Sequence, residues 1–179
     1  MATNQTISTL TDPKGIDKVV TDLNTQLLTL SWLDNAYGVA EKHYEDGNTF
    51  PVIHASGIDY EVLRPDSYKD NFCFWVLDDP QMVDDMPGRT TSRAKVRLVV
   101  WFDYSKVFPS VNGYTAENVI ALLLEKIRST SSGSVKITRT YRDPQNVYRG
   151  FKFPMNDKPF MRPFGCVGIE LEAVNYEVC

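Results

Sequence analysis

The stretch AKVRLVVWFDYSKVF, residues 94–108, constrains this chain more than any other. Ala94, Val96, Leu98, Val100, Phe102 and Tyr104 alternate with Lys95, Arg97, Val99, Trp101 and Asp103. A period of two puts the first set on one face of a strand and the second on the other. The first face is apolar throughout, while the second is polar at its ends and apolar in its middle. A strand of this length commits the chain to a sheet, against which the remaining elements are read.

Two segments have helical spacing. In residues 12–31, DPKGIDKVVTDLNTQLLTLS, Ile16, Val19, Val20, Leu23, Leu27 and Leu30 recur every three or four positions. That predicts an amphipathic helix with Asp12 as N-cap and Pro13 at the first helical position. In TAENVIALLLEKIRS (115–129), Val119, Leu122, Leu123 and Ile127 form the stripe, and Thr115 with Asn118 approximates a capping box. Further strands are expected at 50–67 (two, around ASG), at FCFWVLDD (72–79) and at CVGIELEAVNYEV (166–178). The consecutive apolar residues of FCFWV imply cover on both faces. Residues 32–49 have no clear period and are expected to form a turn and short helix. Residues 79–93, with two prolines and a glycine, are expected to be a loop, and the prolines of 154–165 forbid regular structure there. The fold class is therefore α+β: a mainly antiparallel sheet with two amphipathic helices on one face.

At 179 residues, 42% of them hydrophobic, the chain supports one domain with a substantial core. Residues 1–11 are polar and expected to be a flexible leader; residues 12–179 are expected to form one domain. No apolar run reaches the roughly 20 residues that cross a bilayer, so no membrane partner is expected. Cys73, Cys166 and Cys179 are an odd set without a CxxC, and His43 and His54 are the only histidines. A zinc site needs about four such ligands, and this spacing does not resemble one. Buried thiols in a reducing cytoplasm are the simpler reading.

VKITRTYRDPQNVYRGFKF (135–153) is the other notable stretch. It alternates like a β-ribbon and carries Lys136, Arg139, Arg142, Arg149 and Lys152 beside Tyr141, Tyr148, Phe151 and Phe153. An arm spanning about residues 134–165 is expected to protrude from the domain. Basic groups for phosphate and rings for bases are the ingredients of a nucleic-acid surface. Tyr and Arg also dominate protein interfaces. The acidic whole and the lack of a nucleic-acid motif favour protein contact. Residues 1–90 hold 15 acidic and 6 basic side chains, net −9, and residues 91–179 hold 8 and 13, net +5, a split that chance and solvated surface explain as readily as complementary faces do. An acidic face meeting a basic face between identical copies makes a head-to-tail contact of the kind that closes into rings. The expected contact pairs Arg139, Arg142 and Arg149, with Tyr141 and Tyr148, against an acidic loop of Asp78, Asp79, Asp84 and Asp85.

No catalytic residue, cofactor site or metal site is expected. The acidic cluster could hold a divalent ion through its carboxylates, but a solvated loop explains it more simply. A metal-dependent enzyme would lose its activity on changing Asp78 and Asp79. GxSxG, P-loop and GxGxxG signatures are absent from the sequence.

The order of parts resembles a family. An N-terminal amphipathic helix leads to short strands, KVRLVVWFDYS feeds into AENVIALLLEKIRS, a ribbon follows, and FGCVGIELEAV closes the chain. This resembles the tail-terminator and head–tail connector proteins of tailed bacteriophages. LLTLSWLDNAYGVAEKHYEDGNTFPVI (27–53) also looks like the neck proteins of crAss-like phages of Bacteroides. The resemblance spans about residues 12–178 and brings no catalytic motif. It implies a virion structural protein, assembled from the host cytoplasm into a homo-oligomeric ring of the neck or tail. Such a ring stacks on portal, connector or tail rings, and DNA passes its lumen without specific binding. The alternative is a nucleic-acid-binding or processing protein that uses the ribbon.

Overall fold

A computed structural model describes residues 5–7, 12–56, 59–65, 70–79, 82–87, 89–110, 113–129, 134–155 and 160–177. In chain order the first elements are β1 (Gln5–Ile7), α1 (Gly15–Leu27), β2 (Asn35–Val39), β3 (Glu41–Glu45), β4 (Asn48–Ser56) and β5 (Asp59–Val62). Then come β6 (Phe72–Leu77), β7 (Met82–Met86), β8 (Arg89–Asp103), α2 (Tyr104–Val107) and α3 (Ala116–Arg128). The last are β9 (Ser134–Tyr141), α4 (Pro144–Val147) and β10 (Phe164–Glu177). The molecule is α+β, with a mixed but mainly antiparallel sheet and four helices among the described residues.

β8 is the axis of that sheet. β10 runs antiparallel along it without a break, from Phe164 opposite Asp103 to Glu177 opposite Thr90. The other edge of β8 is shared: β6 covers Val96–Trp101 and β7 covers Arg89–Arg93. The order is β1-β2-β6-β8-β10-β9, with β7 paired to β8 beyond the end of β6. β2 joins β6, and β1 joins β2, in parallel. A second sheet, β3-β4-β5, is antiparallel.

The alternation along β8 divides the interior into two cores. Val96, Leu98, Val100 and Phe102 pack with Cys73, Trp75, Val167, Ile169 and Leu171 beneath α1 and α3. The stripe residues Ile16, Val19, Val20, Leu23 and Leu27 of α1, and Val119, Leu123 and Ile127 of α3, are buried there. On the other face Val99, Trp101, Phe72, Phe74 and Val76 pack with Phe50, Val52 and Ile53 of β4 and with Val147, Tyr148, Phe151 and Phe153. Both faces are thus covered, which explains why FCFWV is apolar at every position. A single buried amide pins α1 to the sheet. Asn24 donates through Nδ2 to Tyr37 O (3.0 Å) and accepts at Oδ1 from Trp75 Nε1 (2.7 Å).

Several local expectations are corrected. α1 starts after Lys14, not at Asp12–Pro13, and Asp12 is left-handed (φ 65°). Gln5–Ile7, within the expected leader, pair with Asn35–Tyr37 as β1. Residues 35–45 form β2 and β3 instead of a short helix, because β6 offers β2 an open edge. The expected loop at 79–93 contains β7 and the start of β8, since β8 outruns β6 and β7 fills the edge left open. Pro80 and Pro87 bracket that strand instead of interrupting it.

The expected protruding ribbon is also two different things. Its first half is β9, the last strand of the sheet, paired to β10 with a bulge between Glu170 and Leu171. Its second half folds back over the lower core. Val147 and Tyr148 are fully buried, Phe151 and Phe153 nearly so, and Thr49 and Lys152 exchange two backbone hydrogen bonds (2.7 and 2.9 Å). The apolar surface of these four side chains outweighs the two cations among them, Arg149 and Lys152, and draws the segment onto the sheet.

Candidate functional site

The polar ends of the long strand lead to the charged part of the molecule. Lys95 and Arg97 point to the face of β8 opposite the helices. Register sets Glu172 of β10 beside Lys95 and Glu170 beside Arg97. On the far side of β10, Lys136 and Arg139 of β9 face the same two glutamates. Asp78 and Asp79, just past the end of β6, complete the pattern: Asp78 N–H donates to Lys95 O (3.1 Å), and Asp79 pairs with Lys95 Nζ at 2.9 Å. Two rows of alternating charge therefore cross the sheet. One runs Lys136, Glu172, Lys95, Asp79, and the other Arg139, Glu170, Arg97, Asp78. Opposite charges directly across a strand pair each contribute a few tenths of a kcal/mol up to about 1 kcal/mol.

Arg97 anchors the second row and is wholly buried. Its Nε and Nη2 grip Asp78 at Oδ2 (3.1 Å) and Oδ1 (2.9 Å). Nη1 donates to Asn146 O (2.9 Å) and Val147 O (2.7 Å), and Nη2 also donates to Arg149 O (2.7 Å). All five guanidinium donors are thereby used. Burial pulls the Arg97 pKa below its ordinary value, while Asp78 pulls it up; an arginine keeps its charge nonetheless. The carbonyls it receives are those at the end of α4. Asp143 starts that turn by accepting from Asn146 N–H (2.9 Å). Arg97 is thus the clamp that holds residues 143–149 on the sheet.

Arg149 lies over this clamp. Its Nη2 reaches Asp78 Oδ2 at 2.9 Å and Glu170 Oε2 at 3.5 Å, and its guanidinium sits 5.7 Å from the centre of the Tyr141 ring. Tyr141 in turn donates its hydroxyl to Glu170 Oε2 (2.9 Å), and Thr138 donates to Glu170 Oε1 (3.1 Å). Burial acts to raise the Glu170 pKa, but the hydrogen bonds from Tyr141 and Thr138 and the charge of Arg149 outweigh it. The carboxyl is held below the usual range.

The expected interface residues therefore separate. Asp78 and Arg149 are brought together inside one chain, so neither is free to serve only as a contact between copies. Asp78 is half-buried in a network and not on a solvated loop. Arg142 pairs with Glu117 in the first turn of α3. Tyr148 is fully enclosed among Phe74, Phe153 and Phe160, and its hydroxyl has no hydrogen-bond partner among the described residues. Tyr141 and Asp79 are tied to Glu170 and Lys95. Arg139, at the outer end of its row, and Asp84, on β7 opposite Thr91, are exposed. Asp85 faces Thr90 in register, and its side chain lies outside the described residues. Arg97, Lys95, Glu170, Glu172 and Lys136 were missed as a site. The available signal was that the charged positions of 94–97, 136–139 and 170–172 all obey the period of two.

A recess of about 400 Å³ opens between Asp78, Asp79, Lys95, Arg139, Arg149 and Glu170. Cations and carboxylates alternate around it, which suits the capture of a charged side chain. The histidines lie elsewhere: His43 Nε2 is 3.0 Å from the Tyr60 hydroxyl, and His54 is 3.6 Å from Glu41 at the surface. No group of three or more His, Cys, Asp or Glu with metal-binding geometry occurs among the described residues. Nor is any helix among them long and apolar enough to cross a membrane. Compared with known proteins, the chain matches no family model and no curated sequence.

Proposed function

We propose that the chain is a virion structural protein of a tailed phage, building a homo-oligomeric ring in the neck or tail around the DNA exit channel. The supporting observation is how residues 135–153 use their side chains. Tyr148, Phe151 and Phe153, the rings a base would stack on, are buried in the lower core. Arg142 and Arg149 are already paired with Glu117, Asp78 and Glu170. A nucleic-acid surface needs exposed rings and unneutralised cations, so the alternative keeps only Lys136, Arg139 and Lys152 of its cations and the partly buried Tyr141 of its rings. Exposed charge of opposite sign also lies on two strands at the margins of the main sheet, Asp84 on β7 and Lys136 and Arg139 on β9, where a head-to-tail assembly of identical copies would use it. The order of elements, shared with connector and terminator proteins, supports the phage setting. The neighbouring rings would be portal, connector or tail proteins.

Negative-stain electron microscopy of the concentrated protein, together with duplex-DNA binding at physiological salt, tests the reading. Closed rings with a central hole and no tight DNA binding are expected. A monomer that binds duplex DNA tightly, with affinity falling steeply as salt rises, would overturn it.

A further inference from the structure

The main sheet has an open edge on each side of β8. On one side β9 ends the strand order; on the other, past the end of β6, β7 pairs only with β8 among the described residues. These two edges carry opposite charge. Lys136 and Arg139 are exposed on β9 at the cationic ends of the two rows, each with a glutamate on its inner side. Neither forms an ion pair among the described residues. On β7, Asp84 is exposed, and Met82 and Val83 are 70% and 60% exposed. Apolar side chains on an open strand edge are an aggregation liability unless something covers them.

The faces also match. Register places Met82 beside Arg93 and Asp84 beside Thr91, on the charged face of the sheet, and Val83 beside Ser92, on the helix face. On β9, Lys136 opposite Glu172 is on the charged face, while Val135 and Ile137 pack partly against the helix-side core. A strand with the alternation of β7 laid along β9 would therefore set acid against base on one face. On the other it would set valine against valine and isoleucine.

We propose that β7 of one copy adds to the outer edge of β9 in a second copy, bringing Asp84 to the row that ends in Lys136 and Val83 against Val135 and Ile137. This rests on the ring reading above and names the contact that joins its subunits. Strand addition supplies main-chain hydrogen bonds, and the alternating side chains supply selectivity. The two surfaces differ and each copy carries both, so the contact is head-to-tail and propagates until it closes. The occupant is a second copy because donor and acceptor, complementary in charge and in facial pattern, lie on the same chain.

The test mixes two single-cysteine variants, Asp84→Cys and Lys136→Cys, in a Cys179→Ser background; Cys73 and Cys166 are buried. One variant carries a mass tag. A disulfide-linked dimer containing one copy of each, and absent from either variant alone, is expected. Separately, Lys136→Glu is expected to raise the concentration needed for assembly by about tenfold or more, and adding Asp84→Lys to the same chain is expected to restore it. Rings that form without the crosslink and ignore the charge swap would overturn the edge pairing and leave the ring reading standing. A chain that stays monomeric and uncrosslinked overturns the pairing too, and the ring reading is then judged by the DNA measurement above. Crosslinking of Lys136→Cys to an unrelated acidic strand peptide as readily as to Asp84→Cys would make β9 a general acceptor and overturn the assignment to a second copy.

Discussion

Arg97 shows how differently a residue is read in the sequence and in the structure. In the sequence it is one of the polar end positions of an alternating strand, ordinary at the margin of a sheet. In the molecule it is fully buried and its five donors are all used, three of them on carbonyls 49 to 52 residues away. Nothing local marks that, because the partners are backbone atoms whose identity the sequence does not encode. Arg97→Met would leave three carbonyls without their donor and Asp78 with Arg149 alone, and loss of one partner of a buried pair costs about 3–5 kcal/mol. Urea unfolding should show a loss of that size, with residues 143–149 the first to become protease-sensitive. Tyr148 presents the opposite case. Its ring is legible as an aromatic in the ribbon, but its hydroxyl is buried without a partner among the described residues. Tyr148→Phe removes an unpaired group, so the variant is expected to be as stable as the parent or more so by about 1 kcal/mol. A loss above that in thermal melting would mean the hydroxyl is satisfied after all.

Among the elements, those with a strong period were read correctly in type, although the strand expected over 94–108 stops at Asp103, where the Asp103 carboxylate accepts from Ser105 N–H and starts α2. The stripes of α1 and α3, and the alternation of β8 and β10, follow from residue spacing alone. β2 was missed because it owes its extended form to β6, a strand far along the chain, and such pairing leaves little trace in local spacing. β3 and β7 instead pair with the strand that follows each, β4 and β8; the Asp46–Gly47 turn between β3 and β4 is a local hairpin signal that the spacing of apolar residues does not carry. The placement of α1 depends on Asn24, which satisfies both Trp75 Nε1 and Tyr37 O. Asn24→Leu would strand both groups in the core, at about 1–3 kcal/mol for each. Differential scanning calorimetry should show the loss for both groups together, about 2–6 kcal/mol, and Trp75 fluorescence should change at the same time. The β9–β10 edge makes a pH prediction. The Glu170 pKa is lowered on folding, so its ionisation stabilises the native state above the ordinary glutamate pKa, and that contribution disappears as pH falls through the folded value. Glu170→Gln lacks it. The stability gap between parent and variant should therefore be full at neutral pH and narrow in acid; a constant gap from pH 7 to pH 3 would assign Glu170 a role independent of its charge.

For the whole molecule, the charge split between the two halves of the chain was legible, but where those charges lie was not. Part of the basic half neutralises part of the acidic half within one copy, through Arg97, Arg149 and Lys95. Some of what is left over lies at the sheet edges, as Asp84 on β7 and as Lys136 and Arg139 on β9. Those edge charges are exposed and screened, with a Debye length that falls from about 8 Å at physiological salt to about 3 Å at 1 M. The Arg97–Asp78 pair is shielded from solvent and feels little of that. Raising salt should therefore weaken assembly, followed by light scattering, while leaving the melting temperature of the isolated subunit nearly unchanged. If both fell together, the same charges would be holding the fold and the assembly.

The alternating rows have one more consequence, for how the sheet finds its pairing. Because strand side chains repeat every two residues, a slip of β8 against β10 by a single position turns one strand over. Lys95 and Arg97 would then enter the apolar layer beneath α1 and α3, while Val96 and Leu98 took their places beside Glu172 and Glu170. A misaligned sheet is thereby penalised on both faces at once, by stranded charge on one and lost packing on the other. The rows work as proofreading for the longest pairing in the molecule, acting before any partner is met.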